Sequence, residues 1–241
     1  MPMKVTGTWR AAVLAGYGLV LAGLGVFARA IGEVGTPAQA PVVLMGYVQL
    51  ALAAIVIPLE VTAPREGSRI AFVRGVFLRV ALFLAAGVPA VLVVTMLAGS
   101  SVWMAALRVQ AVVWCYAVGA LGVSVLVLAV LRRGVLSQWV ASVVLLTMLG
   151  APLVANPLIE WAGPGRRARA IDCVSYSSGV VMVSYAGGMD FYRGPRMYEW
   201  SLAGDYPYHV PETSVACVLY LAIGAVLTAG FGPLLPTFMR R

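Results

Sequence analysis

Charge is scarce in this chain: Asp, Glu, Lys and Arg make up 11% of 241 residues, and lysine occurs once, as Lys4. A retinal-type Schiff base needs a membrane-embedded lysine, so that chemistry is excluded. Histidine also occurs once, as His209 in a polar stretch, whereas haem carriers use His pairs or His with Met. Three cysteines, Cys115, Cys173 and Cys217, cannot form a framework of paired bridges, and their spacing is not that of a zinc site. No H-E-x-x-H, no G-x-S-x-G and no phosphate-gripping glycine loop is present. The sequence therefore offers no catalytic residues, no metal ligands and no cofactor site, and the chain reads as a non-enzyme. Ion-driven pumps keep a carboxylate in mid-membrane, but Glu33, Glu60 and Glu160 fall at the ends of apolar runs.

What fills the chain instead is membrane-grade apolar sequence, 61% hydrophobic with a mean hydropathy of +0.93. Uncharged runs cover Ala11–Ala28, Pro41–Leu59, Val80–Leu107, Val109–Leu131, Gly134–Ile159 and Thr213–Met239. A helix rises about 1.5 Å per residue, so about 20 apolar residues cross a hydrocarbon core roughly 30 Å thick. The runs are continuous rather than alternating, which excludes a membrane β-barrel. The expected fold is all-α: one polytopic membrane domain over residues 1–241. Its spans fall at about 11–32, 42–62, 76–97, 105–131, 138–159 and 213–236. The opening segment, Lys4 and Arg10 followed by an apolar run and Ala28-Arg29-Ala30, has the pattern of a signal peptide. It is read here as the first span.

The net charge of +8 is not a nucleic-acid signal. The basic residues sit in short clusters at helix ends, where they fix orientation and snorkel to headgroups. Lys4 and Arg10, then Arg65, Arg69 and Arg74, then Arg132 and Arg133, then Arg240 and Arg241 all share one side of a six-span chain. The positive-inside rule makes that side cytoplasmic and puts both termini there. Arginine usage with abundant Ala, Val and Gly suits a GC-rich bacterial genome, so the expected location is a bacterial cytoplasmic (inner) membrane, with lipids as the first partner. The cysteines in apolar runs, Cys115 and Cys217, read as small hydrophobes.

The connection at 160–212 differs from the others. It carries six of the nine acidic residues and six of the ten tyrosines, and tyrosine favours the headgroup level. Asp190, Arg193, Arg196, Tyr198 and Trp200 are its candidate gate or docking residues; the plainer reading is a solvated cap anchored at the interface. Within it Cys173–Met189 is uncharged but rich in Ser, Tyr and Gly, and it is marginal in length for a span. It is expected to form a re-entrant or interfacial hairpin of half-helices, with Gly187-Gly188 near its break or its exit. The many aromatic rings predict an ordered loop folded back onto the bundle, since disordered segments are poor in aromatics. On the opposite side, Pro64-Arg65-Glu66-Gly67-Ser68-Arg69 joins the second and third spans. It suits a short interfacial element and equally a simple positive-inside clamp.

Six helices with both ends inside and a long external loop before the last helix resemble the exporter-type ABC transporter permeases. Members carry an E-R-E-x-G-T-like turn between helices two and three, to which Arg65-Glu66-Gly67-Ser68 is similar, one residue short and with Ser for Thr. They also carry an Asn-Pro late in helix five ahead of a re-entrant hairpin; Asn156-Pro157 and Cys173–Met189 stand in the matching places. The resemblance implies a permease subunit paired with a second copy and energised by a separate ABC ATPase subunit. Arg65, Glu66 and Arg69 would then form the coupling element. The competing reading is a structural or assembly subunit of a larger membrane complex, docking other subunits through its external loop. The topology is open to test. Cysteine-accessibility labelling should find residues 1 and 241 on one face and position 198 on the other, and termini on opposite faces would refute the even count.

Overall fold

Without water, a polypeptide can satisfy its backbone within one segment only through the α-helical ladder. The structure, a computed structural model, describes residues 39–62, 69–99, 102–192, 209 and 211–234. Among these residues every regular element is a helix. In chain order they are α1 (Ala40–Thr62), α2 (Arg69–Ala98), α3 (Trp103–Leu131), α4 (Gly134–Val154), α5 (Asn156–Trp161), α6 (Arg167–Ser177), α7 (Gly179–Ala186) and α8 (Thr213–Phe231), the last running into a 3-10 turn at Gly232–Leu234. Five stretches are long and apolar enough to cross a membrane: Ala40–Val61, Arg74–Met96, Trp103–Leu131, Gly134–Val154 and Thr213–Leu234. They are the spans of a multi-pass membrane protein. The expected first span, 11–32, lies outside the described residues.

Four of the expected spans coincide with α1, α2, α3 and α8, although α2 starts earlier, at Arg69. The expected helix over 138–159 is different: α4 starts at Gly134, stops at Val154, and the chain resumes as α5 after Ala155. Pro157 explains the interruption. It has no N–H to donate and its ring crowds the carbonyl four residues back, so the ladder of α4 ends before it. Proline is, however, suited to the first turn of a new helix, where it sits in α5.

α1, α2, α3 and α4 alternate in direction, and α8 runs parallel to α3. Residues 40, 98, 103, 154 and 213 therefore lie at one end of the bundle, and residues 62, 69, 131, 134 and 231 at the other. At the latter end Arg132 takes a left-handed conformation (φ 56°) and donates its N–H to Leu128 O, closing α3 tightly enough for Arg133 to lead straight into α4. Glu60 and Arg79 pair at 3.0 Å and tie α1 to α2.

α3 is the central helix and touches α1, α2, α4, α7 and α8. Its contact with α8 is the most intimate. The two helices run parallel, and a Cβ placed on Gly122 would lie 2.8 Å from Gly224 Cα. One placed on Gly119 would meet Tyr220 O at 3.3 Å, and one placed on Gly224 would overlap the Val118 carbonyl. Small residues let backbones approach in this way where no hydrophobic force drives helices together. Outward, α8 shows Val218, Leu219, Leu221, Ile223 and Val226, and α4 shows Val143, Val144 and Leu146. Such apolar breadth suits lipid and not water.

The connection between α4 and α8 is expected to be ordered, and its described part, through residue 192, is helical. Ala155, Ile159, Ile171, Val174, Val181 and Tyr192 form a small core of their own beside the main one. The interruption between α6 and α7 falls at Ser178 and not near Gly187-Gly188, which lie at the other place expected for them, the exit, and form the turn leaving α7. α7 runs antiparallel to α1. Gly187 lies against Val43, Val183 against Gly46, and Gly179 against Leu50. That ladder covers about 10 Å of α1 at 1.5 Å per residue.

The α3–α8 contact sets a stability test. Gly224→Ala should destabilise the purified protein by about 1–3 kcal/mol, the range for overpacking, and lower its thermal unfolding midpoint in detergent. Gly230→Ala, which meets nothing within 4 Å, should not lower it, and equal midpoints for both variants would refute the close approach.

Candidate functional site

α7 reads Gly-Val-Val-Met-Val-Ser-Tyr-Ala, and Val181, Met182, Val183, Ser184 and Ala186 are all buried. It can sit among α1, α3 and α4 because it meets them through small residues. A Cβ on Gly179 would lie 3.0 Å from the Tyr116 ring, 3.1 Å from Leu50 and 3.2 Å from Leu149. Helical backbone bonds reach Ser178 from one side and leave it on the other. Ser178 N donates to Val174 O at 3.1 Å, and Met182 N donates to Ser178 O at 3.2 Å. The Ser178 hydroxyl donates to Leu149 O at 2.9 Å, fastening the break to α4.

Other hydroxyls follow the same logic. Ser184 Oγ lies 2.9 Å from Val180 O and 2.5 Å from the Tyr47 hydroxyl. A serine has one hydrogen to give, so with Ser184 donating to its own helix Tyr47 is the donor across to it. Ser175 repeats the pattern, donating to Ile171 O at 2.7 Å and accepting from Tyr192 at 2.9 Å. Tyr116 donates to Leu145 O at 3.3 Å. The helix pair is thus bonded to α1 through Tyr47 and to α4 through Ser178, and α3 is bonded to α4 through Tyr116.

Two amides sit in the apolar interior. Gln110 Nε2 donates to Gln49 Oε1 at 2.8 Å, linking α3 to α1. Gln49 Nε2 and Gln110 Oε1 are buried without a partner, so the pair keeps one donor group and one acceptor in reserve.

On the other side of Tyr116 lies a cavity of about 390 Å³. α3 supplies Tyr116, Ala120 and Val123 to its wall, α4 supplies Leu145 and Met148, and α8 supplies Leu219, Tyr220 and Ile223. α6 closes one end with Asp172, Cys173, Tyr176 and Ser177. Tyr116 and Tyr220 meet edge to face at 5.6 Å, and the Tyr220 hydroxyl is buried without a hydrogen-bond partner. Asp172 Oδ2 lies 3.2 Å from His209 Nδ1, and Asp172 Oδ1 accepts from the His209 backbone N–H at 3.4 Å. This contact brings the start of α8 onto α6, and Tyr176 adds to it by accepting the Glu212 N–H at 3.2 Å.

The residues singled out from sequence are distributed otherwise. Asp190 is turned onto its own segment, its Oδ1 accepting from the Tyr185 hydroxyl at 3.0 Å and from Tyr192 N at 3.2 Å. Arg193, Arg196, Tyr198 and Trp200 lie outside the described residues, as do Arg65 and Glu66. Arg69 opens α2. Sequence reading missed Gln49, Gln110, Tyr47, Ser178, Ser184 and Asp172. The two glutamines had a signal, since an amide inside an uncharged run is an exception needing a partner. Comparison with family models, with curated proteins and with solved structures finds no match.

The amide pair can be tested by a double-mutant cycle. Removing one partner strands the other, at about 1–3 kcal/mol, whereas removing both can be nearly neutral. Gln49→Leu and Gln110→Leu should each lower the thermal midpoint and the double variant should recover most of the loss; strictly additive losses would show that the amides do not interact.

Proposed function

We propose that the chain is the membrane-spanning permease subunit of an ABC exporter, pairing with a second copy and energised by a separate ATPase subunit. The observation supporting this reading most is the helix pair set directly before the last span. In it α6 leads inward to Ser178, and α7 returns along α1 from the level of Leu50 to that of Val43. On this reading the pair is a re-entrant hairpin entering from the external face, and non-helical backbone is tolerated there because it is enclosed by protein. The opposite end of the bundle, carrying Arg74, Arg132 and Arg133, is then the cytoplasmic one under the positive-inside rule. Residues 11–32 supply the sixth span, and both termini lie in the cytoplasm of a bacterial cell. Nucleotide hydrolysis belongs to the partner, and Arg65, Glu66 and Arg69 face it as the coupling element.

The deciding experiment is recovery of the tagged full chain from native membranes in mild detergent. A nucleotide-hydrolysing subunit should come with it. The double variant Glu66→Ala/Arg69→Ala should insert normally yet recover several-fold less of that subunit, or leave its hydrolysis uncoupled from transport. Recovery of cofactor-bearing membrane subunits with no ATPase would overturn the reading in favour of a structural or assembly subunit.

A further inference from the structure

The geometry points to the cavity beneath Tyr116 as a binding site for an amphipathic organic cation. Its volume of about 390 Å³ falls in the range of small-molecule pockets, which are mostly apolar with a few placed polar groups. The walls match that description: Ala120, Val123, Leu145 and Met148 supply aliphatic surface, and Tyr116 and Tyr220 supply rings. Most polar groups in the wall are already committed. The Tyr116 hydroxyl donates to Leu145 O, the Ser177 hydroxyl donates to Val174 O, and the Tyr176 hydroxyl accepts from Glu212 N.

Asp172 is the one charged residue among those lining the cavity, in a chain whose net charge is +8. A carboxylate offers about four acceptor positions, and His209 occupies one on each oxygen. The His209 side chain is 85% exposed, so it can swing aside without disturbing the core. A cation entering here gains a carboxylate that is only a quarter exposed and a wall that includes the rings of Tyr116 and Tyr220. Asp172 repels an anion of the same shape, and a neutral body of that shape gains no charge attraction from it. Leu219 and Ile223, which line the cavity and are also exposed on the outer surface of α8, leave it open from the side. That is the route an amphiphile already dissolved in the bilayer would take.

The inference deepens the exporter reading by naming the chemical class it would carry, and rests on that reading only for the transport step. Binding itself needs no ATPase, so the two can fail separately. The test uses the full chain in phosphatidylcholine nanodiscs with tetraphenylphosphonium as probe and the equally shaped anion tetraphenylborate as control, read by equilibrium dialysis against empty discs. Saturable binding of the cation alone is expected. Asp172→Asn should weaken it roughly tenfold or more, the scale of losing the attraction of a partly buried carboxylate for a cation. Asp172→Glu should restore most of it, and His209→Ala should bind at least as tightly as the unaltered chain. No saturable binding, equal binding of the anion, or unchanged affinity in Asp172→Asn would each overturn the site; the anion comparison on the unaltered chain stands even if a variant fails to fold.

Discussion

A backbone N–H or carbonyl left without a partner in an apolar medium costs several kcal/mol, and the architecture can be read as the response to that cost. Five long helices meet it internally. At the two interruptions, Ala155 and Ser178, backbone bonds four residues apart continue beside the break, and at Ser178 a side chain adds to them. At Ala155 the carbonyl still accepts from Ile159 N at 2.9 Å, so one helix ends and the next begins without a gap. At Ser178 the backbone bonds on both sides, and its own hydroxyl reaches Leu149 O. A break enclosed by α1, α3 and α4 is admissible where a break facing lipid would not be.

Enclosure in turn demands space. A helix of ordinary side chains would not fit between α1, α3 and α4, and the residues that make room are Gly46 on α1 and Gly179 and Gly187 on the inserted segment. Gly122 and Gly224 do the same between α3 and α8, where the backbones come nearest. Close approach lets α3 serve as the shared wall for the inserted pair on one side and for the last helix on the other. The cavity beneath Tyr116 is what remains where α6 holds α4 and α8 apart.

The long helices were legible in the sequence because lipid leaves an apolar run few alternatives, and α1, α3 and α8 sit close to where their runs predict. The proline that ends the fifth run was legible too, as Asn156-Pro157, but the uncharged stretch carried on past it and concealed the interruption. The break at Ser178 carries no punctuation of that kind. Gly187-Gly188 is the stronger local signal, yet tertiary contact decides otherwise, since Ser178 finds Leu149 O and Gly187 is needed against Val43. Asp172 was invisible as a site residue. It stands among arginines in a polar stretch, and only the packing of α6 on α4, with His209 and Glu212 bound to it, brings it beside apolar walls.

That placement gives the molecule an electrostatic polarity within its apolar bundle. Arg74, Arg132 and Arg133 gather at the end where α1 passes to α2 and α3 to α4, which anchors that end among headgroups. The interior holds neutral polar groups instead, hydroxyls and two amides, which bind helices together without the desolvation cost of ions. At the opposite end Asp172 places a carboxylate beside the cavity, 3.2 Å from His209. A carboxylate deeper along α6 would carry a burial penalty without a partner. One further toward water would have its field screened by solvent and salt. Asp172 stands between these limits, a quarter exposed, where it borders both water and what lies among the helices.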